Sequence, residues 1–217
     1  MSETQEVVSI VKRVKNGALL SNGTIRIDRA RASHPHISSP YEGENDDGKA
    51  TKSYGCVGLL PKKENRELKD LIVGEVNRLL KENRLEKMAA DRKFIKDGDL
   101  AAKDEQEGMW VVSSRENKPP RIRGRALDPK TGKPRRLTPE QAEGVFYGGC
   151  YVSLLIRPWF QNHRKYGKRI NANLVGIQFI EDGEPFGESR ISDDAIDDSF
   201  EGESPSDSGG WDDDDDL

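Results

Sequence analysis

From Glu181 to Leu217 the chain carries sixteen Asp and Glu residues against one base, Arg190. No single core can absorb so one-sided a segment, because burying unpaired charge costs far more than burial returns. The rest of the chain is the mirror image. Residues 1–180 hold 34 bases and 23 acids, a balance of +11 against -15 in the tail, within a 217-residue chain of net charge -4. Such segregation points to a body that binds a polyanion and an acidic appendage. From Glu201 onward Gly, Ser, Pro and Asp dominate, and this segment is expected to be disordered. Trp211 and Leu217 bracket the aspartates Asp212, Asp213, Asp214, Asp215 and Asp216, which reads as a short docking peptide.

Composition removes several classes. Only 33% of residues are hydrophobic, and apolar runs such as Val152 to Ile156 fall far short of the roughly 20 residues a membrane helix needs. The two cysteines, Cys56 and Cys150, are too few for a disulfide framework or a four-thiolate zinc site and read as small core residues. No basic-plus-apolar leader opens the chain, so the cytoplasm is the expected compartment and no membrane partner is expected.

Hydrophobic periodicity predicts one long helix over Glu64 to Asn83. Leu68, Leu71, Ile72, Val76, Leu79 and Leu80 make one apolar stripe, with Gly74 as a defect. Strands are predicted near Val7 to Val14, Thr24 to Asp28, Tyr54 to Leu60, Met109 to Val112, Val145 to Arg157 and Asn173 to Glu181. Gly148 and Gly149 inside a strand suggest a bulge or a sharp bend. Ser33 to Lys52, with Pro35 and Pro40, reads as a long loop, and so does Pro158 to Ala172. The expected fold is mainly β with one long helix: a five-stranded Greek-key barrel of the oligonucleotide-binding (OB) type, with loop extensions and the acidic tail. Its expected limits are an N-terminal extension over 1–17, the barrel domain over 18–187 and the tail over 188–217.

Two basic segments carry the candidate chemistry. Arg157, Arg164, Lys165, Lys168 and Arg169 interleave with Trp159, Phe160, His163 and Tyr166, with no acid among them. Cations follow phosphates and flat rings stack on exposed bases, so this mixture suits single-stranded nucleic acid. Arg121, Arg123 and Arg125, spaced by two, fall on one face of a strand, where a phosphate backbone would relieve their repulsion. Trp110 and Tyr151 read equally as core or contact. His34 and His36 lack the partners of a zinc site. Asp193, Asp194, Asp197 and Asp198 resemble a magnesium motif but read as a solvated charge run. No phosphate-cradling loop or nucleophile elbow occurs, so neither an enzyme nor a cofactor or metal is expected.

The segments GTIRIDRARASHPHISSPYEG, RKFIKDGDL, YGGCYVSLLIRPWFQN and YGKRINANLVGIQFIEDGEPFG resemble a bacteriophage single-stranded DNA-binding protein family of enterobacterial-phage type with an OB fold. The resemblance spans roughly residues 18–200. The element order is similar to that of the T7-type phage protein. The resemblance implies a protein that coats single-stranded DNA in phage replication, recombination and repair, inside the host cytoplasm. It also implies a tail that occupies the basic groove or recruits replication or recombination proteins. Related tails often end in an aromatic residue, whereas this one ends in Leu217. Two rivals remain: an adaptor acting through Trp211 to Leu217, and a metal-dependent nuclease using the four aspartates. The residues leave preference for RNA or duplex DNA, and homo-oligomerisation, open.

Overall fold

In the computed structural model, residues 8–44, 49–101 and 103–186 are described. In chain order the elements are β1 (Ile10–Val14), β2 (Gly17–Leu20), β3 (Ile25–Glu44), β4 (Ala50–Pro61), α1 (Arg66–Glu82), β5 (Ile95–Asp97), β6 (Met109–Glu116), β7 (Arg121–Leu127), β8 (Pro134–Arg136), α2 (Pro139–Ala142), β9 (Tyr151–His163) and β10 (Gly167–Glu181). The protein is mainly β, with one long helix.

One sheet runs in the order β5-β6-β4-β3-β9-β10-β7-β8, and the β1–β2 hairpin joins it through β3. The sheet curls until its ends meet. The Phe94 N–H donates to Ile170 O on β10 at 2.9 Å, and the Phe94 carbonyl accepts from Ser113 N on β6 at 2.9 Å. A parallel bridge between Lys93 and Ile170 lies at the same place. The segment just before β5 thus closes a ring through β6, β4, β3, β9 and β10. β7 pairs in parallel with a later stretch of β10, Ile122 opposite Ile177.

The ring closes because alternate residues of its strands are apolar. Ile25, Ile27, Leu59, Leu154, Ile156, Ile170 and Leu174 are wholly buried, as period-two side chains of a closed sheet must be. The stripe of α1 covers this core. Leu68, Leu71, Ile72, Val76, Leu79 and Leu80 are all buried, and the helix packs against β9 and the β1–β2 hairpin. Full burial of each such side chain is worth about 1.5–3 kcal/mol. The β1–β2 turn is docked as well: Asn16 Nδ2 donates to Asn65 Oδ1 at 2.9 Å.

Three expectations need correction. The described parts of Ser33 to Lys52 are no loop but the two sides of an antiparallel arm, with Tyr41 opposite Ser53 and Gly43 opposite Thr51. Its register shifts between Ser33 and His36 and again between His36 and Tyr41. Pro35 and Pro40 fall in those breaks, where their missing N–H removes no ladder bond. Pro158 to Ala172 is likewise a ribbon: β9 and β10 pair without a break from Arg157–Asn173 to His163–Gly167. Only Arg164, Lys165 and Tyr166 lie between the strands. Finally, Val145 to Cys150 precedes β9 and does not belong to it. Gly149 there has φ +114°, and a Cβ on it would come 2.1 Å from Glu184 O, so this pair makes a close backbone approach, not a bulge.

That approach anchors the end of β10. Tyr147 Oη accepts from Gly183 N at 3.1 Å, while Arg31 Nη2 donates to Glu184 O at 2.5 Å. Gly74 sits exposed on α1 with open space around it. Gly74→Ala should therefore raise stability by about 0.5–1 kcal/mol. Ile72→Ala on the opposite face should lower it by about 2–5 kcal/mol. Urea unfolding of both variants checks the pair.

Candidate nucleic-acid interface

Alternation along the β9–β10 ribbon decides which of its residues face outward. Directly opposed pairs share one side of a sheet. Arg157 faces Asn173, Trp159 faces Asn171 and Gln161 faces Arg169. Between them, Pro158, Ile170 and Ala172 turn inward and are buried. Trp159 is therefore presented outward, 39% exposed. Phe160, paired with Ile170, packs half-buried against the core. Of these two adjacent rings, one is offered to a ligand and the other supports the barrel.

Barrel closure sets a second row of side chains against this face. Phe94 and Ile95 are buried, and Lys96 points outward. The result is a groove of about 680 Å³ across the closure seam. Its cations are Lys52, Arg92, Lys93, Lys96, Arg115 and Arg169; its acids are Asp91 and Glu116; its aromatic residues are the exposed Trp159 and the buried Phe94. Lys52 pairs with Glu42 at 2.6 Å and Arg92 with Asp91 at 3.4 Å. Lys93, Lys96, Arg115 and Arg169 form no ion pair among the described residues. Arg169 Nε is moreover buried without a hydrogen-bond partner among them. A buried, unsatisfied guanidinium donor is costly, and an anion in the groove would satisfy it.

The segment carrying these cations is held at both ends. Arg92 Nη1 donates to Tyr166 O at 2.9 Å, which ties it to the tip of the β9–β10 ribbon. Beyond β5, Lys62 bonds Asp97 and, at 2.6 Å, Asp99. The Lys62 hydrogen bond, then the Gly108 N–H, holds the Asp99 carboxyl below the usual carboxylate range.

The remaining predicted residues lie around this groove. Arg157 is exposed on β9 beside Asn173, a groove residue. Arg164, Lys165, Tyr166 and Lys168 are exposed at the ribbon tip, where the Tyr166 ring stacks on His163 at 4.7 Å. Arg121, Arg123 and Arg125 are on β7, with Ile122 and Gly124 buried between them, so the three do share one face. They do not line the groove. Burial first, then the charges of Arg136 and Arg121, pushes the Arg123 guanidinium below its ordinary range. Trp110 lies under Lys62, 4.8 Å from its ring centroid, and Tyr151 under Arg29 at 3.9 Å. No cluster of three metal-ligating residues occurs among the described residues, and no helix is long and apolar enough to cross a membrane. Asp193, Asp194, Asp197, Asp198 and Trp211 to Leu217 lie outside the described residues.

Sequence reasoning missed Lys52, Arg92, Lys93, Lys96 and Arg115. They come from three separate segments and meet only when the barrel closes. The string RKFIKD held a signal, since its bases flank the buried Phe94 and Ile95.

A family model described as Enterobacter phage Enc34, ssDNA-binding protein, matches residues 23–208. The single-stranded DNA-binding protein from bacteriophage Enc34, solved in complex with ssDNA, is 39% identical with a TM-score of 0.72; the match covers 84% of this chain and 99% of that one. A C-terminal truncation of the same phage protein is 40% identical, also at TM-score 0.72, over 83% of this chain and 98% of that one. Protein p50 of Acyrthosiphon pisum secondary endosymbiont phage 1 is 24% identical over 75% of this chain and 85% of its own length. The single-stranded DNA binding protein of bacteriophage T7 is 12% identical, with a TM-score of 0.48, over 83% of this chain and 96% of that one.

The outward and inward rings of β9 should respond differently to truncation. Trp159→Ala should change stability by no more than about 0.5 kcal/mol, as exposed substitutions do. Phe160→Ala should cost about 2 kcal/mol or more, somewhat below the roughly 3–5 kcal/mol of a fully buried aromatic, because Phe160 is half-buried. Thermal unfolding without any ligand distinguishes the two.

Proposed function

The chain belongs to the family of the Enterobacter phage Enc34 ssDNA-binding protein, and on that premise we propose that it binds single-stranded DNA in the groove over its barrel seam. The observation that carries this reading is the meeting of exposed Trp159 with the unsatisfied Arg169 guanidinium among unpaired lysines. Phosphates satisfy the cations, and a base stacks on the indole. The relative solved with ssDNA supports the choice of ligand. The closed ring of β3, β4, β6, β9 and β10 supports reading the domain as an OB barrel, extended by the β3–β4 arm and the β9–β10 ribbon. Its proposed limits are residues 18–187, between an extension over 1–17 and a tail over 188–217. Arg157, Arg164, Lys165, Tyr166, Lys168 and the Arg121, Arg123 and Arg125 face serve as outlying contacts that follow the strand beyond the groove.

The work proposed for the protein is coating and protecting single-stranded DNA inside the phage-infected host cell during replication, recombination and repair. It acts as a binder, not as an enzyme. The acidic tail, with Trp211 to Leu217 at its end, serves as a tethered competitor for the basic body or as a contact for replication proteins. Tethering gives it a high effective concentration, so only a long DNA strand displaces it efficiently.

Titration of a fluorescent oligo-dT tests the groove. Affinity should fall steeply with salt. Trp159→Ala should weaken binding by about 1–3 kcal/mol, the worth of one stacked base. Arg169→Gln should flatten the log–log salt slope by about 0.7, one phosphate contact to a single strand. Unchanged binding in both variants would remove the groove from the reading. Truncation after Glu201 should raise affinity, most at low salt, and equal affinity with and without the tail would end the competitor role.

A further inference from the structure

We propose that a second hollow beside the main groove, centred on Tyr41 of the β3–β4 arm, is a further base-stacking subsite that lengthens the single strand held by one molecule. The inference rests on the DNA-binding reading of the main groove. The hollow has a volume of about 390 Å³, and its chemically active walls are His34, His36, Tyr41, Lys103 and Arg115. Ser53, Ser113 and Arg115 line both it and the main groove, so the two form one continuous depression across β4 and β6. A chain whose phosphate meets Arg115 can run either way from it, toward Trp159 or toward Tyr41.

Three features of the hollow fit a nucleotide. Tyr41 is 54% exposed, an unusual setting for an aromatic side chain held in a strand. His36 meets its ring edge-on, with centroids 5.4 Å apart and planes at 67°. That contact steadies the ring without stacking on it. Secondly, Lys103 and Arg115 line the hollow and no Asp or Glu is among its lining residues, in contrast to the main groove with Asp91 and Glu116. Thirdly, Gly55 leaves part of the wall bare. A Cβ there would come 2.9 Å from Ser114 O, and its absence lets β4 and β6 lie close beneath the hollow.

The placement of Tyr41 also has a structural logic. The arm has no core of its own, so its outward residues are free to serve a ligand. The ladder still fixes Tyr41, opposite Ser53, and Ser33, opposite Val57, pairs at the base of the arm. A ring on a paired ribbon costs little further ordering when a base stacks on it.

The test is a length series of oligo-dT, from about 4 to about 16 nucleotides, the span of site sizes for one such barrel. It is titrated against the full chain and its Tyr41→Ala, Tyr41→Phe and Trp159→Ala variants, after thermal unfolding shows that all four fold. The proposal expects Tyr41→Ala to weaken binding of the longest oligonucleotide about tenfold, the size of one lost stack. It also expects the shortest oligonucleotide to be unaffected and Tyr41→Phe to restore the loss. Equal affinity of Tyr41→Ala and the parent at every length overturns the subsite. An equal loss at every length overturns it as a separate station, because Tyr41 would then belong to the primary contact. A Trp159→Ala variant that binds every length normally overturns the main-groove reading beneath it, an outcome distinct from either failure of Tyr41.

Discussion

The backbone of one residue, through its own N–H and C=O, holds the groove together. Phe94 gives its N–H to Ile170 and takes the N–H of Ser113 on its carbonyl. Without that link the sheet would be an open ribbon ending at β5 on one side and β7–β8 on the other. With it, the outward side chains of residues 92–96 stand across a seam from those of β10. The groove is therefore a product of closure. Arg92 at the tip of the β9–β10 ribbon and the Lys62 bonds to Asp97 and Asp99 brace the closing segment from either end. Both braces are polar, because the segment is too short to be held by apolar burial alone.

This arrangement carries an electrostatic cost. Several cations elsewhere are matched: Arg29 with Glu181, Arg78 with Glu75 and Glu82, Lys62 with two aspartates. Along the seam four are left unmatched, and on β7 Arg123 is crowded by Arg121 and Arg136. A chain selected for stability alone would place carboxylates there. Keeping like charges together weakens the compact state, and a polyanionic ligand reverses the sign of that contribution. The apolar side of the barrel, with α1 laid over it, supplies the stability that lets the polar side remain strained.

What could be read in the sequence follows from where hydrophobic period survives. The α1 stripe was legible because six apolar residues repeat on one face. Ile25, Ile27 and the second half of β10 were legible because one of their faces is buried. Beyond Ile37 in the β3–β4 arm, and between Gln161 and Arg169 in the β9–β10 ribbon, no described residue is buried, so polar residues fill both faces and period two disappears. These stretches therefore read as loops, and prolines in the arm strengthened that impression. The same misreading hid a simple consequence for Trp159 and Phe160. Neighbours in a strand point to opposite sides, so the two rings could not both stack on a ligand. Trp159, Arg157 and Arg169 were recognisable from local mixture alone. Lys52 and Arg115 were not, because nothing local distinguishes them from ordinary surface bases, and Arg92, Lys93 and Lys96 were marked only by flanking the apolar Phe94 and Ile95.

The chemistry of the groove also bears on how selective it can be. Reading a base needs fixed donors and acceptors aimed at its edge. The amide best placed beside Trp159 is Asn171, and its Nδ2 already donates to Gln161 Oε1 at 2.5 Å. Lysines and arginines on flexible stems, with a flat indole between them, recognise features common to all nucleotides: a charged backbone and a π face. Satisfying Asn171 within the protein withdraws an amide donor that could otherwise favour one base. On the proposed reading, such a surface suits a strand of any sequence, and selection would rest on strand form, since a duplex hides the base faces that an outward ring such as Trp159 could meet.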